Sequence, residues 1–147
     1  MSSSSMELIE KHRENAEIHT DPTVCKEKVL ELLREINMPS GLLPLGDIAE
    51  VGRNLETGFV WLRQKAAREH TFEKIGKRVW YDKEVTAFVE DRRMKRVTGV
   101  QSKELLIWVT LSYIHIPDPD AGKIVFATPA GLSRSYQVSA FEDDDKN

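Results

Sequence analysis

Glu104-Leu105-Leu106-Ile107-Trp108-Val109-Thr110-Leu111-Ser112-Tyr113-Ile114-His115-Ile116 is the longest apolar-leaning run in the chain. Its alternation puts Leu105, Ile107, Val109, Leu111 and Tyr113 on one face and Leu106, Trp108 and Ile114 on the other, which is the period of a β-strand. A strand apolar on both faces predicts a central position, covered on one side by a helix or by a second sheet layer. Thr110, Ser112 and His115 interrupt the run, and it is too short to span a bilayer as a helix.

Working outward, the same period recurs. Gly58 to Leu62, His70 to Ile75, Arg78 to Tyr81 and a segment with Val85, Ala87 and Val89 on one face all read as strands. Asp91-Arg92-Arg93 reads as a turn into a weaker strand over 95–100. After the loop Pro117-Asp118-Pro119-Asp120-Ala121-Gly122, strands are expected over 123–127 and 134–141. Seven to eight short antiparallel strands predict a barrel or a sandwich.

Upstream the period changes to that of a helix. Thr20 and Asp21 precede Pro22, an N-cap followed by proline at the first helical position. Cys25, Val29, Leu32, Leu33 and Ile36 then fall on one stripe, with Lys26, Glu27, Lys28, Glu31, Arg34 and Glu35 elsewhere. Pro39 ends the helix near Asn37. The fold class is therefore mainly β (α+β), an amphipathic helix followed by an antiparallel β body. Residues 1–20 read as a polar, partly helical start, 21–141 as one domain, and 142–147 as an acidic disordered tail.

The chain has 147 residues, 40% of them hydrophobic and 31% charged, with a net charge of -3. That length suits one domain with a real core, and the charge argues against nucleic-acid binding. Cys25 is the only cysteine, so no disulfide can form within the chain. The start, Met1-Ser2-Ser3-Ser4-Ser5 running into Glu7, Glu10 and Lys11, lacks the apolar stretch of a signal peptide, and a cytoplasmic protein is expected.

Several blocks are specific. Met38-Pro39-Ser40-Gly41-Leu42-Leu43-Pro44-Leu45, Asp47 to Gly52, Glu56 to Leu62, Lys103 to Thr110, Thr128 to Arg134 and Val138 to Phe141 occur in order. Together they resemble the plant family called domain of unknown function 538, over about residues 8 to 141, and within it the branch linked to trichome branching. The resemblance implies a β-barrel or sandwich with an N-terminal helix. It also implies links to trichome size, growth and stress responses, with lipid or amphiphile binding and a chlorophyll-related hydrolase activity both proposed for the family. It carries over no catalytic residues.

No stretch commits the chain to a reaction. Ser112, Ser133, Ser135 and Ser139, with His70 and His115, are the raw material of an esterase, but no Gly-x-Ser-x-Gly elbow occurs. Cys25 lies on an apolar stripe, where a thiol is a small core residue. No histidine, cysteine or carboxylate spacing matches a metal site, and no cofactor is expected. Two basic groups, Arg63-Lys65-Arg68 and Arg92-Arg93-Lys95-Arg96, suit either a solvated edge or peripheral contact with an anionic membrane. Leucines in a loop broken by two prolines and two glycines suggest an apolar lip over a pocket, or a connection pinned to the core. With the strand tryptophans they give the binding candidates Leu42, Leu43, Leu45, Trp61, Trp80 and Trp108. A binder of a lipid-like or amphipathic molecule is the leading expectation, ahead of a protein-interaction or regulatory module and, last, an esterase.

Overall fold

The computed structural model describes residues 3–142. Residues 143–147, most of the expected acidic tail, lie outside the described part.

A first helix, α1 (Ser3–His12), is followed by a short strand, β1 (Glu17–His19), and by α2 (Pro22–Glu35). The start of α2 is the one its residues dictate. The Asp21 carboxylate accepts hydrogen bonds from the Thr23 and Val24 amides at 2.9 and 3.2 Å, with Pro22 in the first turn. Its buried stripe is Cys25, Val29, Leu32 and Leu33, and it packs on the next strand, β2 (Ile48–Asn54).

Eight more strands follow: β3 (Phe59–Gln64), β4 (Arg68–Phe72), β5 (Lys77–Glu90), β6 (Arg93–Glu104), β7 (Ile107–Thr110), β8 (Tyr113–His115), β9 (Lys123–Ala127) and β10 (Ser133–Gln137). A short 3-10 helix, Val138–Phe141, comes last. All ten strands belong to one antiparallel sheet in the order β1-β2-β3-β5-β6-β8-β9-β10, with β4 added to β5 and β7 to β6.

The expected closed barrel does not form, nor does a two-sheet sandwich, and there are ten strands rather than seven or eight. The reason lies in β5 and β6, which at 14 and 12 residues outlast every neighbour. The first half of β5 pairs with β4 and its second half with β3, while β6 pairs first with β8 and then with β7. The sheet therefore branches instead of closing, and β1 and β10 remain edges.

The sheet is nonetheless coiled. Side chains from β2 at one side and β9 at the other share one core cluster with α2. Phe141 plugs the interior, its ring 4.6 Å from Phe72 of β4 and 5.2 Å from Phe126 of β9. Much of the coiling is set where β5 and β6 cross. The register shifts around Thr86, and Gly99 of β6 has φ +83°. A Cβ at Gly99 would sit 2.2 Å from the Glu84 carbonyl oxygen, so only glycine permits this approach.

The other face of β3 carries a second, smaller core. Phe59 and Trp61 are fully buried there under Ile9 of α1, and His12 stacks on Phe59 at 4.4 Å. Glu50 ties the cover down: Arg13 donates to both its oxygens at 2.9 and 3.2 Å, and the Trp61 indole Nε1 and Arg63 donate to it at 2.9 and 3.1 Å.

The run from Glu104 to Ile116 is not one central strand. Glu104 pairs with Ile107 across a two-residue turn, β7 returns along β6, and after Leu111-Ser112 the chain resumes as β8. Leu111 and Ile114 are buried, but Leu105 and Leu106 are 94% and 91% exposed. The turn carries none of the glycine or asparagine that normally marks one, so alternation ran through it unbroken.

Candidate functional site

The chain between α2 and β2 places the leucines. Met38 and Pro39 are buried, and the Gly41 amide donates to the Phe141 carbonyl at 2.8 Å. Leu42 turns into the core, where the Tyr81 hydroxyl donates to its carbonyl at 2.8 Å. Burial drives the Tyr81 phenol far above its usual range, so it stays a donor. Buried Gln64 accepts from the Gly46 amide at 2.9 Å and donates to the Tyr81 and Asp82 carbonyls. The leucine loop is thus fixed to the sheet at both ends.

Between this loop, the middle of α2, β4 and the last 3-10 turn lies an open groove of about 530 Å3. Its size suits a small-molecule site. Its lining is mixed: Val29, Leu30, Leu43, Leu45, Phe72 and Phe141 supply the apolar part, and Ser40, Thr71 and charged side chains the rest. Lys26, Arg68 and Lys74 stand around it with Glu73 and Glu142. Lys26 and Arg68 are exposed and have no ion-pair partner among the described residues, whereas Lys74 donates to the Ser139 carbonyl at 3.2 Å. His70 faces the groove edge-on to Phe72, ring centres 4.6 Å apart. Burial, helped by the charge of Arg68, lowers its pKa, so the imidazole is neutral at neutral pH. A groove with apolar side chains on its walls and, among the described residues, three cations against two carboxylates around it can hold an amphipathic anion, tail against the apolar wall and head group at Arg68.

The candidates separate. Leu43 and Leu45 line the groove, and Leu42 packs beneath it. Trp61 lies on the other face of the sheet under α1. Its ring needs a flat neighbour, since a Cβ at Gly52 would fall 2.1 Å from it. Trp80 and Trp108 are half-buried on the outward face of β5 and β7, away from the groove. Of the other lining residues, Arg68 belongs to the first basic group and Phe72 to the strand aromatics expected to matter for binding, His70 is weighed only for an esterase, and Phe141 is not a candidate. The alternation Arg68-His70-Phe72 was a signal for the first three, but nothing local shows that Phe141 returns to meet them.

The basic stretch is largely spent on neighbours. Arg92 pairs with Asp91 at 2.5 Å, Arg93 donates to the Tyr113 hydroxyl at 2.9 Å, Lys95 pairs with Glu90, and the Arg96 guanidinium lies 4.9 Å over the Phe88 ring. The other group is divided: Arg63 bonds Glu50 and Glu84, and Arg68 serves the groove.

Ser133 lines a smaller, mainly apolar pocket of about 180 Å3 with Ile107, Val109, Leu111, Phe126 and Leu132, and no histidine lines it. Cys25 is buried, its thiol donating to the His19 carbonyl at 3.2 Å, and burial raises its pKa. No cluster of three metal-ligating side chains occurs among the described residues, and none of their helices is long and apolar enough to cross a membrane.

A family model described as "Protein of unknown function, DUF538" matches residues 29–142. No curated protein and no solved structure matches the chain.

Proposed function

The chain belongs to the DUF538 family, whose description names no activity, and from the groove we propose that it binds, without catalysis, a lipid-like or amphipathic molecule with an anionic head group. The observation that carries this is the pairing of the groove's apolar side chains with two cations, Lys26 and Arg68, that have no ion-pair partner among the described residues. Burial of an alkyl tail supplies the affinity and the cations select the head group. A neutral His70 adds no charge of its own to the groove at neutral pH. A role in growth or stress response, with trichome development as the example, rests on the resemblance to the trichome-linked branch.

The test is native mass spectrometry with oleate as the probe and monoolein as its uncharged counterpart. One oleate per chain, with weaker uptake of monoolein, is expected. Arg68→Glu is expected to lower oleate affinity about tenfold, as the loss of one charge-assisted contact would, and Leu45→Asp to abolish it. A clean unliganded spectrum, or Arg68→Glu binding as the parent does, would overturn the proposal.

A further inference from the structure

The tip of the β6–β7 hairpin has no role in that groove. Leu105 and Leu106 form its two-residue turn and are 94% and 91% exposed, with Ile107 beside them at 62% and Leu132 nearby at 68%. Leu105 has φ +54°, the left-handed region in which a leucine is strained and a glycine is not. Strain and exposure both count against the isolated fold, and both are concentrated on two side chains that project outward.

The stem is rigid and cationic. Lys77 donates to the Glu104 carboxylate at 2.8 Å and to the Lys103 carbonyl at 3.0 Å, and Arg134 reaches the other Glu104 oxygen at 3.2 Å. Trp108 lies between Arg78 and Lys103, with the two cations 5.7 and 5.2 Å from its ring. Around this end, among the described residues, Lys74, Lys77, Arg78, Lys103 and Arg134 outnumber Glu69, Glu73 and Glu104, although the chain as a whole is acidic.

We propose that this hairpin is a wedge that inserts Leu105 and Leu106 into the surface of an anionic lipid bilayer. A protein partner normally needs a broad complementary face of about 1,000 Å2 or more, which two side chains on a turn do not make. A bilayer needs only a short apolar projection, flanked by cations that meet its head groups and by a tryptophan at the boundary between them. The β4–β5 turn, which carries Glu73 and Lys74 of the groove, lies at the same end of the sheet as this tip, because Lys77 sits beside Glu104. Docking therefore brings the groove toward the lipid. The wedge itself rests on the hairpin alone.

The experiment is co-sedimentation with unilamellar vesicles of phosphatidylcholine, with and without phosphatidylserine, alongside analytical ultracentrifugation without lipid. The parent is expected to bind the anionic vesicles, less so at high salt, and to bind pure phosphatidylcholine weakly. Leu105→Ser with Leu106→Ser should lower anionic binding at least about tenfold. Leu105→Gly separates function from folding, since it relieves the strained φ and should raise the melting temperature while still weakening vesicle binding. Arg68→Glu, which disables the groove, should leave vesicle binding in place, and the double serine change should leave oleate uptake in place. Absence of binding to anionic vesicles, or binding unchanged by the double serine change, would overturn the wedge. So would a concentration-dependent dimer lost in that variant, which would seat a second copy of the chain on the tip.

Discussion

Glu50 binds three side chains at once, Arg13, Trp61 and Arg63, and so ties α1 to the sheet. Burial pushes its pKa up, but hydrogen bonds from Arg13 and Trp61 outweigh that and hold it below the usual glutamate range. Glu50→Gln removes the carboxylate that Arg13 and Arg63 share and, among the described residues, leaves Arg13 only Glu10 and Arg63 only Glu84, and a loss of about 1–2 kcal/mol in urea denaturation is expected at this partly exposed site. Gly52→Ala is expected to cost more, about 3 kcal/mol, because its Cβ would overlap the Trp61 ring at 2.1 Å and that ring has no room to move. At this scale the sequence was readable where a side chain acts alone. Cys25 on a stripe reads as core, and it is. Trp61 was not readable, because its place depends on which face of β3 the helix before it covers, and alternation does not distinguish one face of a sheet from the other.

Among the elements, α2 followed directly from its cap, its proline and its stripe. The β6–β7 turn did not, since a leucine in a left-handed conformation carries no turn signal, and one strand was expected where a hairpin, a break and β8 occur. The branch points of β5 and β6 were hidden for a related reason: each partner strand was visible, but pairing two successive partners along one side is a property of register. α1 is held by a small aromatic core and the Glu50 cluster, whereas β5 and β6 lie in the main core. Ile9→Asp puts a charge against Phe59 and Trp61, and α1 is expected to detach. Hydrogen exchange should then show lost protection over 5–12 with β5 and β6 unchanged. Equal loss in all three would mean that the two cores unfold together.

For the whole molecule, the number and spacing of short strands predict a barrel or a sandwich, whereas the ten strands form one open sheet whose hydrogen-bonded circuit does not close between β1 and β10. The groove was half legible, its leucines from the loop and its cation from a basic group, while its far wall came from Phe141, more than sixty residues after β4 in the chain. Stability should depend on pH in two stages. Burial lowers the pKa of both His70 and His115, assisted by Arg68 and Arg93 respectively. The unfolded chain therefore takes up more protons as pH falls through about 6.5, so stability is full above that value and declines shallowly below it. Glu104, held low chiefly by Lys77, and Glu50 add a steeper loss below their ordinary value of 4.5. Thermal melting from pH 7.5 to 3.5 measures both stages, and replacing both histidines with glutamine should remove the first and leave the second. The match to the family begins at residue 29, after α1 and β1. The aromatic socket of Phe59 and Trp61 is thus roofed by a segment that lies outside the matched residues. The roof is keyed to the sheet by a few side chains, Ile9 and His12 over Phe59 and Arg13 on Glu50, so the spacing of those residues is what the socket selects.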